Sequence, residues 1–493
     1  MLNSQLTKNM GGNRGKLMKF SFINPGPNTQ LSVRERKKMF GASPPLGIFY
    51  VATILQHEGI EVSILDQAAK GLTTESTIKW IKKEDPDILG FSVLSCSSQT
   101  APKIAEKAKK ENPNLTTVFG NMHATFNAER ILKKYPQVDI TVRGEGERTA
   151  LELVKHLEKE KSLKNIEGIN FRKKNKIITT PTRPPIKDVD SIPFPNRELS
   201  DVEYHAMAAG INAAPKKYAS FVSSRGCVYR CRFCGVRRFA NNIWRPRSVE
   251  NTLEELQFLV SKGYEQIYFV DDNFMINKKR VIEICQRIRK EKMDIDFICL
   301  GRVDNCSYEM LRELVKAGCR IIHFGIESGN QRILDYYNKQ ITPKQSIDAV
   351  KTAKKAGVDV VIGSLIVGAP DETRQEIQKT LKFTHQLDLD IPEVNLLSAF
   401  PGTDIWDELK TKGVLDEDQF WETGVSVSEI SPDAVAPEKI KRMVHEYVRQ
   451  FFLRPRFWLA EIMQTLKSPY RLSLAINNLN RIDTIVESAR DLI

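Results

Sequence analysis

Ser224-Arg225-Gly226-Cys227-Val228-Tyr229-Arg230-Cys231-Arg232-Phe233-Cys234 gathers three of the chain's eight cysteines in the spacing Cys-x3-Cys-x2-Cys. Thiolates are the usual protein ligands of iron–sulfur clusters, and a four-iron cubane takes four of them. Three from one loop leave one iron without a protein ligand, the kind of open position that separates catalytic from closed metal sites. Zinc would want a fourth Cys or His nearby, and His205 and His323 are distant in sequence. A lone cysteine is most often a small buried hydrophobe, which suits Cys96, Cys285, Cys299, Cys306 and Cys319. Three thiols in an arginine-filled loop are poor core material. The reading is a 4Fe–4S cluster on Cys227, Cys231 and Cys234, with zinc or plain packing as alternatives.

Working outward, strand-like runs at 219–223, 266–270, 296–300, 320–326, 360–367 and 394–399 alternate with helical segments. In the helix 249–262, Val249, Leu253, Leu256 and Val260 recur at helical spacing, with Ser248 as N-cap and Gly263 as stop. Six βα units are two short of a full barrel, so an open (βα)6 partial barrel is expected, with the cysteine loop at the carboxyl end of its first strand. Towards the amino terminus, strands at 17–23, 62–65, 88–94, 116–119 and 138–142 alternate with helices at 46–57, 74–83, 100–112, 128–134 and 149–158. Parallel strands need crossovers and helices supply them, so this half reads as a Rossmann-like, flavodoxin-like sheet. The fold class is α/β. The domains are 17–160, a hairpin and extended linker at 161–217, the barrel at 218–430 and a helical region at 431–493.

The 493 residues suit about three domains. Hydrophobic residues at 41% exclude a disordered chain, and eight cysteines are too few for a disulfide-stapled secreted one. With no signal-peptide run and no membrane span, a cytoplasmic protein is expected. The 74 Lys+Arg against 61 Asp+Glu give +13, which favours an anionic partner without naming it.

The cysteine motif, with an aromatic Phe233 before its last member and a six-unit barrel behind it, resembles the radical S-adenosylmethionine (SAM) superfamily. The first domain resembles the cobalamin-binding domain of that superfamily's cobalamin-dependent branch. The matching stretches are Pro44-Pro45-Leu46-Gly47, Pro86-Asp87-Ile88-Leu89-Gly90-Phe91-Ser92, Gly120 with His123-Ala124-Thr125, and Arg143-Gly144-Glu145-Gly146-Glu147. The likeness covers about residues 17–430. It is greatest to enzymes acting on hopanoids, archaeal tetraether lipids and anaerobic chlorophyll precursors, including the Mg-protoporphyrin cyclases.

The resemblance implies three cofactors, namely the 4Fe–4S cluster, SAM and cobalamin. SAM would chelate the open iron and, on reduction, yield a radical that takes hydrogen from an unactivated carbon. Phe233, Asp272 after the second barrel strand, Arg302 after the third, Glu327 after the fourth and Ser364 on the fifth are the implied SAM contacts, Arg302 for its carboxylate and Glu327 for its ribose. For Asp271, a helix cap competes with ligand binding. Cobalamin would be met by Ser92, Ser95, Gly120, Gly144, Glu145 and Gly146 at strand ends. No His carries Asp two residues before it, so the lower cobalt ligand seen in many such domains is missing, and His57 and His123 read as structural.

The implied activity is modification of a hydrophobic isoprenoid or lipid substrate, with C-methylation first and radical cyclisation second. A reductant such as ferredoxin or flavodoxin is the implied partner. RNA methylthiotransfer would need a second cysteine triplet, and only Cys96 precedes Cys227; no nucleic acid is expected. A non-enzymatic cluster or cobalamin module would not need six βα units with polar strand ends. Seven arginines between 225 and 247 could serve an anionic ligand or donor protein. The carboxy-terminal Trp458, Leu459, Ile462, Met463 and Leu466 share a helix face amid Arg449, Arg454, Arg456, Lys467 and Arg471. Packing across the barrel opening is the first reading for that helix, and an anionic membrane contact is the second.

Overall fold

The computed structural model describes residues 18–27, 43–174, 176–205, 207–208, 211–213, 216–415, 417, 420–421 and 435–478. The ends of the expected first and last domains, residue 17 and residues 479–493, lie outside these, as does the side chain of Arg456.

The first sheet begins with β1 (Lys19–Asn24), whose centre is buried on both faces, as a parallel strand requires. Then follow α1 (Leu46–His57), β2 (Glu61–Asp66), α2 (Thr74–Glu84), β3 (Ile88–Ser92), α3 (Thr100–Glu111), β4 (Thr116–Gly120), α4 (Asn121–Lys134), β5 (Ile140–Val142) and α5 (Glu147–Glu158). Strand order is β2-β1-β3-β4-β5, extended by the hairpin β6 (Ile169–Lys173) and β7 (Lys176–Thr179). The hairpin expected in the linker therefore belongs to this sheet, with β6 antiparallel to β5. Helix α4 starts at Asn121 rather than 128, and Asn127 breaks its geometry midway. The Asn127 amide bonds the His123 carbonyl, so a local side-chain bond stands in for the backbone there.

The barrel strands are β8 (Tyr218–Phe221), β9 (Gln266–Phe269), β10 (Asp296–Arg302), β11 (Cys319–Glu327), β12 (Val360–Val367) and β13 (Ile391–Leu396), parallel and in sequential order. Strand β13 begins three residues before the expected 394, because Pro392 is tolerated on an edge strand. The helices pack outside: α6 (Val249–Ser261), capped by Ser248, α7 (Lys278–Lys290), α8 (Tyr308–Lys316), α9 (Pro343–Ala356), α10 (Arg374–Phe383) and α11 (Asp404–Thr411). Leu256, Phe297, Phe324 and Val361 join strands to helices in one buried cluster; each such side chain contributes roughly 2–3 kcal/mol. Inside the barrel, Ile298, Ile321, Val360 and Tyr218 fill the amino-terminal end.

Three helices end the described chain: α12 (Pro437–Phe452), α13 (Pro455–Lys467) and α14 (Pro469–Asn478). Helix α12 packs on β12 and α10 through Val444, Tyr447 and Phe451. Helix α14 closes the amino-terminal end of the barrel with Tyr470. The expectation that the α13 stripe packs across the barrel opening is not met. Trp458, Leu459, Ile462, Met463 and Leu466 are all exposed, because α14 and not α13 supplies the plug.

Candidate active site between the two sheets

The carboxyl ends of both sheets face one cavity of about 440 Å³. The first sheet contributes Ser92 at the end of β3, Gly120 and Asn121 at the end of β4, and Gly144, Glu145 and Gly146 after β5. The barrel contributes Val222, Ser224, Arg225 and Gly226 after β8, and Val270 and Asp272 after β9. Ser95 lies elsewhere, 3.4 Å from His123 Nδ1. Parallel sheets leave such a crevice where strands end and chains turn away.

The cysteine loop is set by its neighbours. Asp271 is fully buried and accepts from the Ser223 amide at 3.0 Å, the Ser223 hydroxyl at 2.8 Å and the Ser224 hydroxyl. It is thus a loop anchor. Asp272 opens onto the cavity and accepts from the Gly226 amide at 3.0 Å; burial pushes its carboxyl up to about 6. Gly226 has φ +84°, and a Cβ there would stand 2.2 Å from the Ile243 carbonyl oxygen. Cys227, Cys231 and Cys234 are all free thiols, and burial pushes all three up, Cys234 to about 11.

Around Cys231 the strand ends converge. Arg302 Nη1 is 3.7 Å from Cys231 Sγ, and its guanidinium lies 3.6 Å from the Tyr229 ring centre. Asp304 takes the fork of Arg302 at 2.9 and 3.0 Å. Arg302 is therefore held in place beside the cysteines rather than left for a free carboxylate. Glu327, at φ +64°, pairs with Lys339 at 2.6 Å, both nearly buried. Phe233 meets Tyr337 edge-on at 5.3 Å. Lys339 carries no signal in the sequence, because a lysine in a short connection looks like solvated surface.

One step across the sheet, Arg302, Gly325, Ser364 and Glu393 form a single cross-strand row on β10 to β13. Ser364 donates to Glu393 at 2.6 Å and lies 2.5 Å from His323 Nε2. His323 Nε2 is itself 3.1 Å from Glu393, and this imidazole holds the Glu393 carboxyl below its usual range. A serine hydroxyl has one proton, already given to Glu393, so His323 Nε2 must be the donor to Ser364. Ser364 is thus drawn into a polar cluster. His323 and Glu393 join it from separate strands, which no local motif in the sequence marks.

Six of the seven loop arginines are tied internally. Arg225 bridges Glu145 and Glu147, and Arg245 also grips Glu145. Arg232 pairs with Glu408, Arg237 and Arg238 with Asp404, and Arg247 with Glu255. Of the seven, Arg230 is the exposed one. Burial opposes charge on Glu145, yet Arg245 and Arg225 hold its carboxyl below the usual range. Glu145 therefore ties the first sheet to the cysteine loop.

The residues fit the cofactors that this fold implies. Three thiols on one loop, with the Arg302 and Lys339 cations at hand, are the donor chemistry of a thiolate-bound cluster. The cavity suits cobalamin in its mostly apolar walls, in the open space beside Gly144 at φ +76°, and in the Asn121 amide bonded to Ser92 at 2.8 Å. No histidine is among its lining residues. His123 is buried against Trp421 at 5.2 Å instead, in keeping with its structural reading.

Comparison with known proteins finds a match in each half of the chain. Residues 221–384 match the radical SAM superfamily, and residues 37–154 match the B12 binding domain. An uncharacterized methyltransferase of Pyrococcus horikoshii is 36% identical over 91% of this chain and 95% of its own. Anaerobic magnesium-protoporphyrin IX monomethyl ester cyclase of Rubrivivax gelatinosus is 27% identical over 85% of this chain and 75% of its own. Among solved structures, the radical SAM methyltransferase TsrM of Kitasatospora setae, with cobalamin and a [4Fe-4S] cluster, superposes with a TM-score of 0.64. That match covers 80% of this chain and 75% of the other at 16% identity, and shows the shared fold. With a cofactor cavity between its two sheets and a relative this close along nearly its whole length, the chain belongs to the cobalamin-binding radical SAM enzymes of the methyltransferase and cyclase type, which use a 4Fe–4S cluster, SAM and cobalamin.

Proposed function

We propose that this enzyme transfers a methyl group to an unactivated carbon of a hydrophobic substrate of isoprenoid or lipid type, held at the carboxyl end of the barrel beside the shared cavity. The shared cavity carries this reading, because its walls come from the first sheet and from the cysteine loop together. Methyl transfer needs its donor and the reacting carbon within one enclosed space. When bound, the cluster and SAM supply hydrogen-atom removal from carbon, and cobalamin supplies the methyl group.

The chain's own residues do the rest. Cys227, Cys231 and Cys234 hold the cluster, with Arg302 beside Cys231 to offset thiolate charge. Asp272 and Glu327 stand at strand ends for the polar parts of SAM. The cavity that Asp272 opens onto has mostly apolar walls, through Phe20, Phe22, Val118 and Val222. Such walls suit a largely apolar molecule with one polar group. The methyltransferase relative favours methylation, and the cyclase relative supports ring closure as the second reading.

Anaerobic protein loaded with cluster, cobalamin, SAM and a one-electron reductant is expected to release 5′-deoxyadenosine. Cys231→Ala is expected to lose both iron and this release; release that survives overturns the cluster assignment. Lipid extracts of a strain lacking the gene are expected to lack a methylated lipid that its parent makes. Unchanged lipids with altered tetrapyrroles would overturn the lipid reading in favour of ring closure.

A further inference from the structure

We propose that the outward face of α13 and α14 seats the enzyme on an anionic lipid bilayer. Helix α13 turns Trp458, Leu459, Ile462, Met463 and Leu466 outward, at the i, i+1, i+4, i+5, i+8 spacing of one helical face. Leu459 is 63% exposed and Leu466 78%, so these are faces and not edges of side chains. On α14, Leu472 and Ile476 are exposed as well. A soluble surface seldom leaves so many large apolar side chains together without a partner.

Charge selects the partner. Residues 437–478 hold eight Lys or Arg against three Glu, a net +5 that is a large part of the chain's +13. Of these, Lys467 is exposed beside the stripe, and Arg454 lies over the Phe451 ring at 3.9 Å. An apolar face containing tryptophan, with Lys467 at its edge and in a segment of net positive charge, is the composition that settles at an anionic bilayer surface. Among the described residues no helix is long and apolar enough to cross a membrane, so the contact is lateral.

The face is fixed to the enzyme and does not hang from it. Arg471 on α14 is buried, bonding Asp390 at 2.5 Å and the Asp359 carbonyl at 2.6 Å. Tyr470 donates to the Ala213 carbonyl at 3.0 Å. These contacts place the face at the amino-terminal end of the barrel, opposite the cysteine loop. The enzyme would therefore sit with its cofactor end turned away from the lipid. This inference does not depend on which substrate the enzyme takes.

Full-length protein floated with phosphatidylglycerol vesicles is expected to rise with them, to rise far less with phosphatidylcholine vesicles, and to be released by high salt. The double variant Ile462→Ser, Leu466→Ser, at two exposed positions, is expected to bind about tenfold or more weakly with unchanged thermal unfolding. Equal binding of variant and parent, equal binding to both lipids, or no binding would each overturn the proposal. So would a dimer in solution that the double variant dissolves, which would give the face to a second copy. Flotation gained only after removal of residues 479–493 would give it to that segment, and would also overturn the proposal.

Discussion

Glu327 and Lys339 form an ion pair of 2.6 Å in which both side chains are almost wholly buried, and Glu327 adopts a left-handed φ of +64° to make it. A non-glycine residue there costs roughly 1–2 kcal/mol, so the pair must be held by its surroundings. Gly325, whose Cβ would stand 2.6 Å from Glu327 Oε1 and 2.7 Å from Lys339 Nζ, leaves the room. Lys339→Met removes the cation that meets this carboxylate and leaves a buried charge behind. It is expected to cost about 3–5 kcal/mol in urea unfolding. Adding Glu327→Gln should return a large part of that loss, and strict additivity of the two changes would show that the pair is not coupled.

Gly226 decides whether the cysteine loop can turn at all. Its φ is +84°, and a Cβ standing 2.2 Å from the Ile243 carbonyl oxygen leaves no space for alanine. Gly226→Ala is expected to cost roughly 2–5 kcal/mol and to lose most of its iron on reconstitution. Gly318, at φ +105° with the Ile295 carbonyl oxygen 2.0 Å from the same position, is equally tight but belongs to the barrel's far end. Gly318→Ala should cost similar stability while folded protein keeps its iron. Equal iron in the two variants would show that the loop tolerates the shift.

Glu145 ties the first sheet to the cysteine loop and to the connection before the barrel. It accepts from Arg225 at 3.1 Å, from Arg245 at 2.9 and 3.0 Å, and from the Ile186 amide at 2.7 Å. Glu145→Ala leaves the buried Arg245 without its carboxylate. The expected result is a marked loss of copurifying cobalamin, read from its visible absorbance, with iron content held. Iron lost in parallel with cobalamin would place the effect on the whole fold instead.

These pairs also mark what the sequence can and cannot convey. The cysteine spacing and the alternation of strand and helix are enough to lay out both sheets, because each rests on local periodicity. The strand ends Asp272, Arg302 and Glu327 come to the cysteine loop because parallel strands all end on one side. Lys339 is invisible, since its burial depends on a connection folding back over the barrel mouth. Glu145 reads as a cofactor contact alone because its arginine partners are 80 and 100 residues away. The α13 stripe announces an apolar face, but periodicity carries no information about which way such a face turns.

His123 offers a test by pH. Burial against Trp421 lowers its pKa to about 4, and among the described residues its buried Nε2 has no hydrogen-bond partner. The folded protein therefore binds this proton more weakly than the unfolded chain, whose histidines titrate near ~6.5. A base lowered in this way gives full stability above the unfolded value and loses it as pH falls towards the folded value. Between pH 7 and pH 5 the loss from this one group is roughly 2 kcal/mol. Urea midpoints measured at both pH values should show it, and His123→Phe should flatten the difference by that amount. An unchanged slope in the variant would mean that the imidazole keeps access to water, and that Trp421 does not seal it.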